Sequence, residues 1–147
     1  MFRFEDDFVA TLRCIPMGVR MKLDQAGIKV SLKEWSKLVQ EERRELAESP
    51  TATPADLDAF GRRVDALVTA RMGLAPKRMP PPAPEWEADA APADLADKAR
   101  DEGFVLTVDT WRRLAPLQRF ALCKLSRHGH ENANFRPAAI EFGVPRA

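Results

Sequence analysis

"GIKVSLKEWSKLVQEERRELAES" (residues 27–49) and "GFVLTVDTWRRLAPLQRFALCKLS" (residues 103–126) align without a gap, and this self-match sets the expected fold. Gly27 falls on Gly103, Ser31 on Thr107, Trp35 on Trp111, Leu38 on Leu114, Arg43 on Arg119 and Leu46 on Leu122, each pair 76 positions apart. Self-similarity at a fixed offset points to two copies of one helical unit, each too small to bury its apolar face alone. Each copy opens on a helix start signal. In "SLKEW" the Ser31 hydroxyl is placed to accept a free N–H of the first turn while Glu34 reaches back, and Leu32, Trp35 and Leu38 make the apolar stripe. Pro116 divides the second copy, because a proline inside a helix costs about 3 kcal/mol. A short helix carrying Trp111 should therefore end near Leu114, and Pro116 should open a second, mostly apolar helix, the central and most buried one. The first copy should bend at the matching Gln40.

Outward from these copies the helical signals continue. In "CIPMGVRMKLDQAG" Pro16 suits a first helical turn, Val19, Leu23 and Ala26 make one face, and Gly27 supplies a left-handed stop. "TPADLDAFGRRVDALVTARMG" reads as a helix capped by Thr53 and opened by Pro54. Its buried stripe is Leu57, Phe60, Val64, Leu67 and Val68, and Gly73 ends it. "APKRMPPPAPEWEADAAP" breaks all periodicity and is expected to run as an extended surface connector anchored by Trp86. The expected architecture is all-α: one helical domain over residues 1–147, a compact bundle of two similar units at about 16–49 and 94–126. A helix and a proline-rich connector at about 75–93 join them.

A chain of 147 residues with 45% hydrophobic residues suffices for one domain with a core. A net charge of +1 gives no whole-molecule attraction to nucleic acid or anionic membrane. The signs are unevenly placed. Acids dominate from Glu85 to Asp109, whereas Arg112, Arg113, Arg119, Lys124, Arg127 and Arg136 face only Glu131. A shared basic face there would suit an anionic partner. The two cysteines, Cys14 and Cys123, sit in apolar sequence and suit buried, reduced thiols better than a disulfide framework. "MFRFEDDF" is too acidic for a signal peptide, and no apolar run approaches the ~20 residues that span a bilayer. A soluble, cytoplasmic protein is expected.

"FEDDFVATLRCIPMGVRMKLDQAG" (4–27), "LQRFALCKLSRHGHENANFRPAAIEFG" (117–143) and the Trp-bearing segments between them resemble the nitrate reductase-associated protein family. "LRCIPM" (12–17) and "GHENANF" (129–135) are the most distinctive strings, and His128 and Ala115 depart from the family pattern. The resemblance implies a small bacterial accessory protein needed for an active assimilatory nitrate reductase, a molybdenum-cofactor enzyme. It carries no established catalytic activity and so implies a protein that is not an enzyme and holds no cofactor. The implied partner is nitrate reductase or its molybdenum-cofactor loading machinery.

The polar cluster "LSRHGHENANF" (125–135) holds both histidines and admits several chemistries. Cys123, His128, His130 and Glu131 are metal-ligand types, but Cys-x4-His-x-His is no standard ligand spacing, and no metal is expected. No serine or cysteine triad and no glycine-rich phosphate loop is present, and Asp6 and Asp7 read as first-turn charges. Gly129 can stop a helix, Asn132 or Asn134 can cap the next, and Phe135, Ile140 and Phe142 would pack a short last helix opened near Pro137. A cap does not require Arg127, His130 and Glu131 together. The cluster is therefore expected to form either a buried hydrogen-bond network or a docking surface. The candidate partner-binding residues are Arg119, Arg127, His130, Glu131, Asn132, Asn134 and Phe135. Arginine in this basic segment would contact an acidic protein surface or the anionic pterin phosphate. The rival expectation is a helix-turn-helix DNA binder, imitated by the first helix, Gly27 and the Ser31-capped helix. Glu34 and Asp109 would then stand where phosphate repulsion is worst, so binding to nucleic acid is not expected.

Overall fold

The computed structural model describes residues 2–5, 12, 14–80, 84–127 and 133–147. Among them run eight α-helices and one two-stranded ladder, so the chain is mostly helical, as its periodicity requires. Contacts group it into two units, Glu5–Pro82 and Phe2–Phe4 with Ala83–Ala147.

In the first unit α1 covers Met17–Ala26. Pro16 precedes it and has no side-chain oxygen to cap the helix. The buried Glu5 does so from a distance, its Oε1 accepting the Met17 N–H at 2.8 Å, where a carboxylate also favours the helix dipole. Gly27 ends α1 at φ 70, a left-handed turn for which glycine carries no Cβ penalty. Strand β1 (Ile28–Lys29), α2 (Leu32–Lys37) and α3 (Gln40–Glu48) follow. The long α4 (Pro54–Met72) is capped by Thr53, whose Oγ1 accepts the Asp56 N–H at 3.1 Å, and stops at Gly73. Strand β2 (Lys77–Arg78) returns antiparallel to β1, with Ile28 opposite Arg78 and Lys29 opposite Lys77. Ile15, Val19, Leu23, Ile28, Trp35, Leu38, Leu46, Phe60, Val64, Leu67 and Val68 form one apolar cluster. Each large side chain buried in this way contributes about 1.5–3 kcal/mol.

The second unit holds α5 (Ala93–Asp101), α6 (Val108–Arg113), α7 (Pro116–Leu125) and α8 (Phe135–Glu141). The breaks fall where Pro116 and its counterpart Gln40 place them. Leu38 and Leu114 are extended, with ψ 146 and ψ 142, between the short and the longer helix. Five of the ten residues of α7 are buried: Phe120, Ala121, Leu122, Cys123 and Leu125. Trp86 does anchor the connector, its indole meeting the Phe120 ring edge-on at 5.1 Å. The carboxylate of Glu141 accepts the N–H groups of Arg3 and Phe4, and the rings of Phe2 and Phe4 lie against Phe142.

Hydrogen bonds of the first unit recur in the second at matched positions. Trp35 donates its indole N–H to the Leu12 carbonyl at 2.7 Å, and Trp111 to the Ala88 carbonyl at 2.8 Å. Arg43 ties the carbonyls of Trp35 and Ser36, and Arg119 those of Trp111 and Arg112. Ser31 and Thr107 cap their helices alike. Glu42 and Gln118 each accept the N–H three residues earlier, at 2.9 Å. The Met79 N–H reaches the Gly27 carbonyl as the Ala147 N–H reaches that of Gly103. An isolated bridge from Phe104 to Arg146 stands where the first unit has its ladder.

Five sequence expectations need correction. Residues 77–78 are extended and exposed as expected, but they pair as a strand with β1 and do not run free, a pairing too short to leave an alternating pattern and made with a distant segment. Cys14 is half-buried, because α1 begins only after Pro16 and Cys14 lies in the irregular approach to it. Cys123 is buried as expected. Ile140 is 53% exposed, since α8 turns Phe135, Ala138 and Ala139 inward. Asn134 occupies the N-cap of α8 in a helical conformation and makes no side-chain capping bond. Leu57, placed on the buried stripe of α4, is only half-buried, and Gly61 lies deeper.

Candidate functional site

The sequence candidates divide sharply by what the fold does with them. His130, Glu131 and Asn132 lie outside the described residues, as do His128, Gly129, Asp6 and Asp7. The helix before them ends earlier than Gly129 would require. Its last residue is Leu125, and the Ser126 N–H bonds back to the Leu122 carbonyl.

Arg119 is engaged inside its own unit. Its guanidinium donates to the carbonyls of Trp111 at 2.9 Å, Arg112 at 3.0 Å and Trp86 at 3.3 Å, and lies 5.4 Å from the Trp111 ring centre. The planar fork suits this geometry, because several N–H groups fan out to two carbonyls at the end of α6 and to that of Trp86. Phe135 is 1% exposed and packs in the interior. Arg127 is exposed and pairs with Glu85 at 2.8 Å. Asn134 is half-buried at the start of α8. Of the described candidates, Arg127 is exposed, Arg119 and Asn134 are half-buried, and Phe135 is buried.

The basic run from Arg112 to Arg136 does not present one uncommitted face. Arg113 reaches the Thr110 hydroxyl at 3.4 Å, and Lys124 lies 5.3 Å from the Phe120 ring centre. Arg136 donates to the Glu102 carbonyl at 3.1 Å and stacks over Phe104. Near Arg127, burial pushes the Cys123 thiol up to about 11 from an ordinary 9.0, with Glu85 reinforcing the shift and Arg127 and Lys124 opposing it. That thiol stays protonated and unreactive at neutral pH.

Basic groups of the first unit are likewise tied to backbone. The Lys22 ammonium donates to the carbonyls of Leu46, Ala47 and Ser49 at 3.3, 2.7 and 2.6 Å, where α3 ends. Burial holds its pKa below the usual lysine value. Arg63 grips both oxygens of Glu45, and this bond, ahead of the opposing burial, holds the Glu45 carboxyl below its usual range. Arg78 is bonded to Asp65.

A different surface escaped the sequence reading. Lys29, Met72, Leu74 and Lys77 border a depression of about 500 Å³ in the first unit. Leu74 is the most exposed of the large hydrophobic residues among those described, at 76%. An apolar residue directly after the Gly73 helix stop was the available signal, since that position normally folds back onto its helix.

Among the described residues, no helix is long and apolar enough to cross a membrane. No curated protein and no solved structure matches the chain. The family model of the conserved nitrate reductase-associated protein matches residues 1–142, and the chain belongs to that family.

Proposed function

We propose that the protein is a non-catalytic accessory factor for assimilatory nitrate reductase, acting by protein–protein binding during maturation, molybdenum-cofactor loading or assembly of the complex. The observation that carries this reading is the family match over residues 1–142, nearly the whole chain. The placement of the ionic groups supports it. Arg43, Arg119, Lys22 and Glu5 hold backbone N–H and carbonyl groups. They serve as ties within a scaffold, and the scaffold presents exposed side chains such as Arg127 to its surroundings.

Deleting the gene in cells grown on nitrate should abolish most nitrate reductase activity while the reductase polypeptide persists. A tagged copy should restore activity and bring the reductase, or a molybdenum-cofactor carrier, with it on purification. Unchanged activity in the deletion strain would overturn the proposal. Changing His130 and Glu131 to alanine separates the two expectations for that cluster. As a docking surface, it should lose reductase activity with stability kept to within about 0.5 kcal/mol. As a buried network, it should lose about 3–5 kcal/mol.

A further inference from the structure

We infer that the depression between the β1–β2 ladder and the end of α4 is a docking groove for an acidic protein segment that carries an apolar side chain. Three independent features of the first unit converge there.

The first is an apolar floor with no cover. Gly73 keeps the last helical bond, its N–H to the Thr69 carbonyl at 2.8 Å, and its left-handed conformation at φ 77 turns the chain out of α4. An apolar residue after such a stop frequently packs against the last helical turn. Leu74 stands 76% exposed instead, beside Met72 and Ala75 on the wall of a depression of about 500 Å³.

The second is a pair of like charges. Lys29 and Lys77 are directly opposite on the antiparallel ladder, so their side chains leave the same face. Directly opposed like charges destabilise a ladder. A carboxylate between them removes that repulsion and gains two charge-assisted bonds. The ladder's other cross-strand pair is Ile28, buried, opposite Arg78, which is bonded to Asp65. Glu34 also borders the groove, but its Oε1 accepts the Ser31 N–H at 2.8 Å as half of the helix cap. Two ammonium groups and one carboxylate line the groove, which leaves it a net positive charge.

The third is the contrast with the second unit. There the Val105 N–H bonds to the Pro145 carbonyl beside the Phe104–Arg146 bridge. Val105 and Pro145 thus take the positions of Lys29 and Lys77. The backbone arrangement works with uncharged residues, so the fold does not require the lysine pair.

This inference adds a binding chemistry to the role proposed above and rests on that role only in taking the partner to be a protein. The test needs no nitrate reductase, so its failure leaves the accessory role standing. A random-peptide phage library is panned against the full chain, with counter-selection on K29E/K77E. Enriched peptides should contain aspartate or glutamate beside leucine, isoleucine, phenylalanine or methionine. Synthetic copies should lose at least about tenfold in affinity, about 1.4 kcal/mol, to K29E/K77E and to L74D, and should weaken as salt is raised. Circular dichroism and melting temperature should match wild type, because all three positions are exposed. No enrichment, basic or uncharged winners, or winners that bind the variants equally would each overturn the inference. So would two other occupants: a concentration-dependent dimer abolished by L74D in sedimentation velocity, or flotation of the chain with phosphatidylserine vesicles lost in K29E/K77E.

Discussion

The two units carry the same polar ties on different supports. Arg43 and Arg119 each bind the carbonyls at the end of a six-residue helix, and Trp35 and Trp111 each donate to a carbonyl 23 residues earlier. Lys22 and Lys98 each lie 6.0 Å from a phenylalanine ring centre, of Phe60 and Phe135. Yet α4 has 19 residues and α8 has seven. Lys22 caps the end of α3, whereas Lys98 pairs with Glu102 at 3.0 Å. What recurs is the set of bonds that ties backbone carbonyls where a short helix turns into a longer one. What differs is length and surface charge, which those bonds leave unconstrained.

The largest test of this comparison removes the tryptophans. Trp35→Ala and Trp111→Ala should each cost about 3–5 kcal/mol, the usual loss for a buried tryptophan. Both indoles are buried and bonded alike, so urea denaturation should give similar losses at the two sites. A large loss at one site and none at the other would break the equivalence.

The arginine ties come next. Arg119→Ala should cost about 2–3 kcal/mol, because hydrogen bonds from charged groups contribute about 1.5–3 kcal/mol. Arg43→Ala should cost less, since Arg119 also reaches the Trp86 carbonyl. Lysine at either position should restore little, lacking the planar fork. Thermal melts of the four variants decide the order.

A pH titration sharpens the contrast at Cys123, whose counterpart 76 residues earlier is Ala47. The thiol's folded pKa, about 11, lies above its ordinary 9.0. Its contribution is therefore complete below pH 9 and is lost as the pH rises through 11. Between those limits wild type should lose about 2 kcal/mol relative to Cys123→Ala. Lys22, with its lowered pKa, pulls in the opposite sense in the alkaline range, and comparing the two proteins cancels it.

The smallest effect belongs to the exposed pair Arg127–Glu85. Arg127→Ala should shift stability by no more than about 0.5 kcal/mol, as exposed ion pairs do. If Arg127 touches a partner, the loss should appear in reductase activity instead.

Helix starts and stops were legible because their causes are local. Ser31 with Glu34, Thr53 with Pro54, Gly27, Gly73 and Pro116 act within a few residues of themselves. The pairing of Arg43 with Arg119 was also visible, but the use of Arg119 was not. A guanidinium on a half-apolar helix looks the same in sequence whether it faces solvent or the carbonyls at the end of a neighbouring helix. Phe135 packs inward as expected and Ile140 does not, since on a seven-residue helix the buried face depends on the direction of entry. The β1–β2 ladder and the groove beside it arise from a long-range return of the chain, which no local pattern records.

The Lys22 ammonium has three hydrogens, and three carbonyls at the end of α3 receive it. An ammonium that keeps all three contacts has no lone pair to offer an acylating reagent, so one contact must part as the proton leaves. Lysines such as Lys29 and Lys77, on the surface of the same unit, lose a proton to solvent and meet such reagents without any opening of the fold. Acylation at Lys22 therefore proceeds only as often as the end of α3 opens. Mass spectrometry of a timed acylation, with the exposed lysines as internal standards, would read the frequency of that opening directly from the intact chain.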